Sequence, residues 1–202
     1  MNGKSVLCEK PLTMNSSEAM LLFNLAKKKQ LLLMEAFMYR MHPQTDKIRE
    51  LVQENFEGKK IEIKASFGFA ANVKEDHRLL NPKLGGGSIL DIGCYPLSMA
   101  RMIVGLINGK EFVDPEEYEV QSEINEHGID LSSEAKLTFS DGSLAYLSSS
   151  IKENLDNSVE VTDGKRTLLV RDPWHCGEYK NCLLYTSPSP RDQRGSGIAG
   201  CG

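Results

Sequence analysis

Ser5-Val6-Leu7-Cys8-Glu9-Lys10-Pro11 begins as an apolar run of strand length and ends in a charged pair followed by proline. Beyond it, Asn15 and Glu18 have the spacing of a capping box. Ala19, Leu22, Phe23 and Ala26 then recur at helical intervals before the basic finish Lys27-Lys28-Lys29. Leu31-Leu32-Leu33-Met34-Glu35 is a second short apolar run. A strand, an amphipathic helix and another strand in succession most often pack as a right-handed crossover with the two strands parallel. These residues predict one part of an α/β sheet.

From about Ala36 the pattern changes, and a second domain is expected to start there. A helix carrying Ile48, Leu51 and Val52 leads into Lys60 to Ala70, where Ile61, Ile63, Ala65, Phe67 and Phe69 alternate in strand fashion. A helix from about Asp91 to Ile107 follows, with Tyr95, Met99, Met102, Ile103 and Leu106 on one face. Further strands are predicted at Tyr118 to Ile124, Leu131 to Phe139, Ser143 to Ile151, Ser158 to Asp163 and Thr167 to Arg171. Two of the links, Ser140-Asp141-Gly142 and Asp163-Gly164-Lys165, are tight turns that favour antiparallel neighbours, so a meandering, mainly antiparallel open sheet is expected. The fold class is therefore α/β at the start, then α+β.

Composition narrows the function. The chain has 202 residues, 40% of them hydrophobic, with 24 Lys plus Arg against 28 Asp plus Glu and a net charge of −4. That balance supplies no positive field for nucleic acid. Leu31 to Met34, the longest apolar stretch near the start, falls far short of the ~20 residues that cross a bilayer, so no membrane span is expected. Five cysteines (Cys8, Cys94, Cys176, Cys182, Cys201) form no CxxC pair, which points to a reducing, cytoplasmic setting rather than a disulfide framework. His127 and His175 lack partners at ligand spacing, and no metal is assigned. From Ser187 to Gly202, nine of sixteen residues are Gly, Pro or Ser. The stretch Cys182 to Asp192 resembles translated sequencing adapter, so residues 182–202 read as a disordered or artefactual tail.

Three segments carry the chemistry. Glu9-Lys10-Pro11 lies where an apolar parallel strand ends, the edge at which open α/β sheets hold ligands, although a solvated loop lysine fits the same spacing. Gly85-Gly86-Gly87-Ser88-Ile89-Leu90-Asp91-Ile92-Gly93-Cys94-Tyr95 places three glycines ahead of a helix whose Asp91 and Tyr95 share a face. An Asp that caps the helix and a Tyr packed in the core would give the same pattern. Arg40, after the second strand, is a donor for an anion or hydroxyl, or else a structural ion-pair partner. In Asp76-His77-Arg78 the arginine could reach a substrate, or the three could be a solvated cluster.

Taken together, Glu9-Lys10-Pro11, the segment Glu35 to Pro43 and the stretch Gly85 to Tyr95 resemble the glucose-fructose oxidoreductase, inositol dehydrogenase and MocA family. The Tyr-bearing form is most similar to its dihydrodiol dehydrogenase branch, over roughly Lys4 to Asp172. The resemblance implies an oxidoreductase that moves a hydride between NAD or NADP and a carbinol carbon of a sugar, polyol or dihydrodiol. It implies Lys10, Asp91 and Tyr95 as the catalytic set, with Tyr95 handling the hydroxyl proton at a pKa lowered by Lys10. Glu9, Lys10, Pro11 and Arg40 are then expected on the cofactor side, and Arg78 and Tyr95 on the substrate side.

On this reading, residues 1–35 are the C-terminal part of a dinucleotide-binding Rossmann domain whose first part is missing. Residues 36–181 are a truncated α+β substrate domain whose open sheet mediates homo-oligomerisation. No GxGxxG follows a strand, so the chain alone is expected to be inactive. The competing reading is a non-catalytic interaction protein that uses the open sheet for association. It has no need of an acid-base set at a cofactor edge.

Overall fold

The computed structural model describes residues 3–74, 76–175 and 182–186. Strand β1 (Val6–Glu9), helix α1 (Ser16–Lys29) and strand β2 (Leu33–Ala36) form the expected crossover, with β1 and β2 parallel and Val6 opposite Leu33. Asn15 caps α1 by accepting the Glu18 N–H, and the Glu18 carboxylate accepts the Met14 N–H, so two otherwise unpaired donors are satisfied. No residue of α1 is buried. Leu7 and Leu21 remain 69% and 70% exposed, because a two-stranded sheet and one helix have little on which to close.

The second unit holds the core. After a short 3-10 turn, His42 caps α2 (Pro43–Phe56) through its ring nitrogen, with Pro43 in the first turn where its missing N–H costs nothing. A seven-stranded sheet follows in the order β4-β5-β6-β3-β7-β8-β9, made of β3 (Glu62–Gly68), β4 (Glu117–Ile124), β5 (Asp130–Thr138), β6 (Leu144–Ser150), β7 (Ser158–Thr162), β8 (Arg166–Arg171) and β9 (Cys182–Thr186). Helices α2 and α3 (Cys94–Ile107) pack together, and α3 lies against β3 and β6. There Met99, Met102, Ile103 and Val104 meet Ile63, Ala65 and Ala145 in a continuous core. The alternate residues of β3, Glu62, Lys64 and Ser66, belong to the opposite, more exposed face.

The sheet is open and mainly antiparallel, as expected, and is mixed by one parallel pairing, β3 with β6, while β3 runs antiparallel to β7. With Ile63, Ala65 and Phe67 buried on one face, β3 is hydrogen-bonded along both edges, between β6 and β7. One expectation changes. Cys182–Thr186, expected within an unstructured tail, pairs antiparallel with β8. Residues 187–202 lie outside the described residues. The segment Pro82–Ile107 is apolar and long enough to cross a bilayer by length and composition, yet most of it is buried, with α3 packed against α2, β3 and β6.

Candidate active site

The loop after β1 delivers the first functional group. The Lys10-Pro11 peptide is cis, and the next N–H, that of Leu12, donates to Glu35 Oε1 at 2.7 Å, tying the loop to the end of β2. Lys10 Nζ reaches across to the second unit. It donates to the main-chain oxygen of Asp91 and, at 3.3 Å, to Asp91 Oδ1. The exposed Arg78, in a short 3-10 turn, donates to the same Oδ1 at 3.0 Å. The Asp91 side chain is only 7% exposed, so a buried carboxylate bridges two cations.

Asp91 owes its position to an irregular turn. Residues Ile89–Gly93 form one turn of π-helix before α3 begins, a widening often found at functional sites. Pro96, five residues beyond Asp91, has no N–H to offer in that register, and the Asp91 carbonyl accepts Lys10 instead. The glycines ahead of the turn allow close packing. A Cβ on Gly86 would lie 2.5 Å from the Leu79 carbonyl oxygen, and one on Gly87, whose φ is +111°, would lie 2.0 Å from Asp130 Oδ1.

Tyr95, in the first turn of α3, sits in a cage of rings. Phe37, Phe67 and Trp174 pack edge-on at centroid distances of 5.3, 5.4 and 5.9 Å, and Tyr39 lies tilted at 5.8 Å. Lys10 Nζ stands 5.3 Å from the Tyr95 ring centre. The three groups singled out in the sequence are therefore together: Lys10, Asp91 and Tyr95. Among the described residues no hydrogen bond reaches the Tyr95 hydroxyl.

The electrostatics differ from expectation. Burial, followed by the neighbouring Cys94, Glu9 and Asp91 charges, pushes the Tyr95 phenol up to about 12 rather than down. Asp91 already compensates the Lys10 ammonium, and the desolvated ring resists ionisation. Burial likewise pushes the Cys94 thiol up to about 12 despite the nearby Lys10. Tyr39 is also raised by burial, while its hydroxyl pairs with Ser98 Oγ at 2.7 Å.

The other candidates are distributed unevenly. Glu9 is exposed at the end of β1, where its charge acts on Tyr95, and Pro11 is half-buried beside it. Arg40, expected on the cofactor side, is engaged elsewhere: it donates to Ser98 Oγ and is sandwiched between Phe37 and Phe112, each ring centre 4.8 Å away. Its contacts include none of Lys10, Asp91 and Tyr95. The sequence reading missed Trp174, which is fully buried and donates its Nε1–H to Ser66 O at 2.8 Å. Being the sole tryptophan in the chain was its only signal.

Residues 45–168 match the GFO/IDH/MocA C-terminal domain, and residues 1–37 match the NAD-binding Rossmann fold of the same oxidoreductase family. The chain belongs to the GFO/IDH/MocA family. Among its relatives is D-xylose 1-dehydrogenase (NADP(+)) 2 of Haloferax volcanii, 33% identical over 165 residues, which are 81% of this chain and 48% of that enzyme. Another is the trans-1,2-dihydrobenzene-1,2-diol dehydrogenase of Xenopus tropicalis, 35% identical over 86% of this chain and 50% of that protein. A 3-ketoreductase from Actinomadura kijaniata, solved with NADP and TDP-benzene, superposes with a TM-score of 0.71 at 26% identity, covering 93% of this chain and 58% of that one. The chain spans about half the length of the curated relatives it matches.

A nicotinamide dinucleotide, implied by this family's Rossmann fold, would find part of a site among the described residues. The Lys10 ammonium at the carboxyl end of β1 and the unpartnered Tyr95 hydroxyl form a donor set suited to its redox end and to a substrate oxygen. No GxGxxG occurs among the described residues, so the cradle for its phosphates is not among them.

Proposed function

We propose that these residues belong to an NAD(P)-dependent oxidoreductase that moves a hydride between the nicotinamide and a carbinol or carbonyl carbon of a sugar, polyol or dihydrodiol. The observation that carries this reading is the meeting of Lys10 with Asp91 and Tyr95, which lie 81 and 85 positions further along the chain, at the carboxyl end of β1. A binding module would gain nothing from that convergence.

A nicotinamide, when bound, would supply the hydride-transfer chemistry; the remaining work falls to this chain's own residues. Tyr95, held protonated by its buried setting, donates its hydroxyl proton to the substrate oxygen as that oxygen gains charge in reduction, and recovers it in oxidation. Lys10 rests on the ring face and, with Asp91 as counter-ion, fixes the phenol and stabilises the negative charge that grows on it when the proton leaves. Arg78, reaching Asp91 from an exposed position, borders the side from which a substrate would approach. Residues 1–35 serve as the end of the dinucleotide-binding domain and residues 36–181 as the substrate domain, with the exposed sheet face available for self-association. Turnover requires a polypeptide that also provides a phosphate-binding loop.

The test is nicotinamide-linked turnover by the full-length protein on pentoses, inositols, trans-dihydrodiols and keto sugars. Activity on at least one class is expected, with Tyr95→Phe lowering kcat by about 10²- to 10⁴-fold and cofactor affinity little changed. Full turnover in that variant would remove the role given to Tyr95.

A further inference from the structure

The carboxylate of Asp130, at the start of β5, reaches the chain that enters the Asp91 turn. Its Oδ2 accepts the Ser88 hydroxyl at 2.7 Å and the Ile89 N–H at 2.7 Å, and Ser133 Oγ approaches it at 3.3 Å as a third donor. Ser88 is fully buried, and its oxygen meets Ser149 Oγ at 3.1 Å, while Ser133 meets Ser122 Oγ at 2.8 Å. The absent Cβ of Gly87 is what lets the carboxylate approach. Neither Ser88, which opens the π turn, nor Gly93, which precedes α3, caps these first turns with its own side chain. The acceptor for the exposed N–H group therefore comes from a different part of the fold, 41 residues away.

The turn is thus held at two ends. Lys10 and Arg78 grip it at Asp91, and Asp130 grips it at Ser88 and Ile89. We propose that Asp130 is a positioning residue, whose clamp on Ser88 and Ile89 sets the π turn so that Asp91 and Tyr95 are presented together to Lys10. Its effect on turnover rests on the function proposed above; its effect on the turn does not.

Cys94 reports on the turn independently of catalysis, since its Sγ donates to Leu90 O at 3.6 Å within it. In the full-length protein, Asp130→Ala is expected to lower kcat by about 10- to 100-fold, as small misplacements of reacting groups do. Iodoacetamide should label Cys94 faster in this variant while the rate at Cys8 stays unchanged. Asp130→Asn, which keeps an acceptor oxygen, should restore both properties. If Asp130→Ala does not accumulate as folded protein, Ser88→Ala removes one arm of the clamp and should show the same selective labelling, with a smaller loss in kcat. Wild-type turnover with wild-type Cys94 labelling would overturn the proposal. So would labelling that rises equally at Cys8 and Cys94, which reports general destabilisation. Were Tyr95→Phe fully active, the oxidoreductase reading would fail while the labelling still decided the role of Asp130.

Discussion

The ammonium of Lys10 faces the ring of Tyr95 at 5.3 Å from its centre while its hydrogen bonds go to Asp91. The lysine therefore meets the tyrosine at its ring face, and among the described residues no hydrogen bond links it to the hydroxyl. Lys10→Met would leave the Asp91 carboxylate with Arg78 alone and the ring without its cation. On the function proposed above, the expected result in the full-length protein is a fall in kcat of about 10²-fold with a change in NAD(P)H affinity of only a few-fold, read by steady-state kinetics and fluorescence titration. A loss confined to cofactor affinity would show that Lys10 serves binding alone.

The buried phenol also predicts behaviour at alkaline pH. Tyr95 ionises near 10.0 when unfolded and at about 12 when folded, and Cys94 moves in the same direction, from 9.0 to about 12. Below these unfolded values both states hold their protons and neither group contributes a pH dependence. As pH rises further the unfolded chain releases protons first, so stability falls through the window that ends near the folded values. The urea midpoint should hold level up to about pH 9 and then decline, and Tyr95→Phe should make the decline shallower. An equally steep decline in that variant would show that Tyr95 is not one of the groups responsible.

What could be read in the sequence was local. Asn15 and Glu18 announced the start of α1, the turns at Asp141-Gly142 and Asp163-Gly164 announced their hairpins, and alternation located the strands to within a residue or two. The meeting of Lys10 with Tyr95 came from motif order and not from periodicity. Long-range packing was hidden. Nothing near Tyr95 in the chain indicates that Phe37, Phe67 and Trp174 will enclose it, and that enclosure reverses the expected direction of its pKa. The partners of Arg40 were hidden for the same reason, because Phe112 and Ser98, which hold it, are 72 and 58 positions away. Strand β3 gave no local sign of its central place between β6 and β7, since register and neighbour are decided by pairing across the fold.

Gly87→Ala tests the close packing beneath the site. The substituted Cβ would stand 2.0 Å from Asp130 Oδ1 at a φ of +111°, so both the backbone and the carboxylate must shift. A loss of about 2 kcal/mol or more is expected from strain together with the weakened clamp. Gly58→Ala, at φ +65° with nothing near its Cβ, should cost less, since it carries the backbone strain alone. Thermal or urea unfolding of both variants compares a strained, crowded site with a merely left-handed one, and equal losses would mean that contact with Asp130 adds nothing.

Asp163 provides a test at the opposite end of the pH scale. It sits in the turn between β7 and β8, where its Oδ1 accepts the N–H groups of Lys165 and Arg166 at 2.9 and 2.7 Å and its Oδ2 accepts Lys59 Nζ at 3.0 Å. Burial alone would raise its pKa, but the two N–H groups and the ammonium outweigh it and hold the carboxyl at about 2, against 3.8 when unfolded. The stabilisation is therefore complete above the unfolded value and is lost as pH falls through about 2, because the unfolded chain then binds the proton more readily. Asp163→Asn keeps an oxygen for the turn but loses the charge that Lys59 and the N–H groups favour. It is expected to lower stability at neutral pH by about 1–2 kcal/mol. The gap between wild type and variant should narrow steadily below about pH 4. Urea titrations from neutral pH downward give that gap directly, and one that stays constant into acid would mean that the ionised carboxylate contributes nothing to holding this turn.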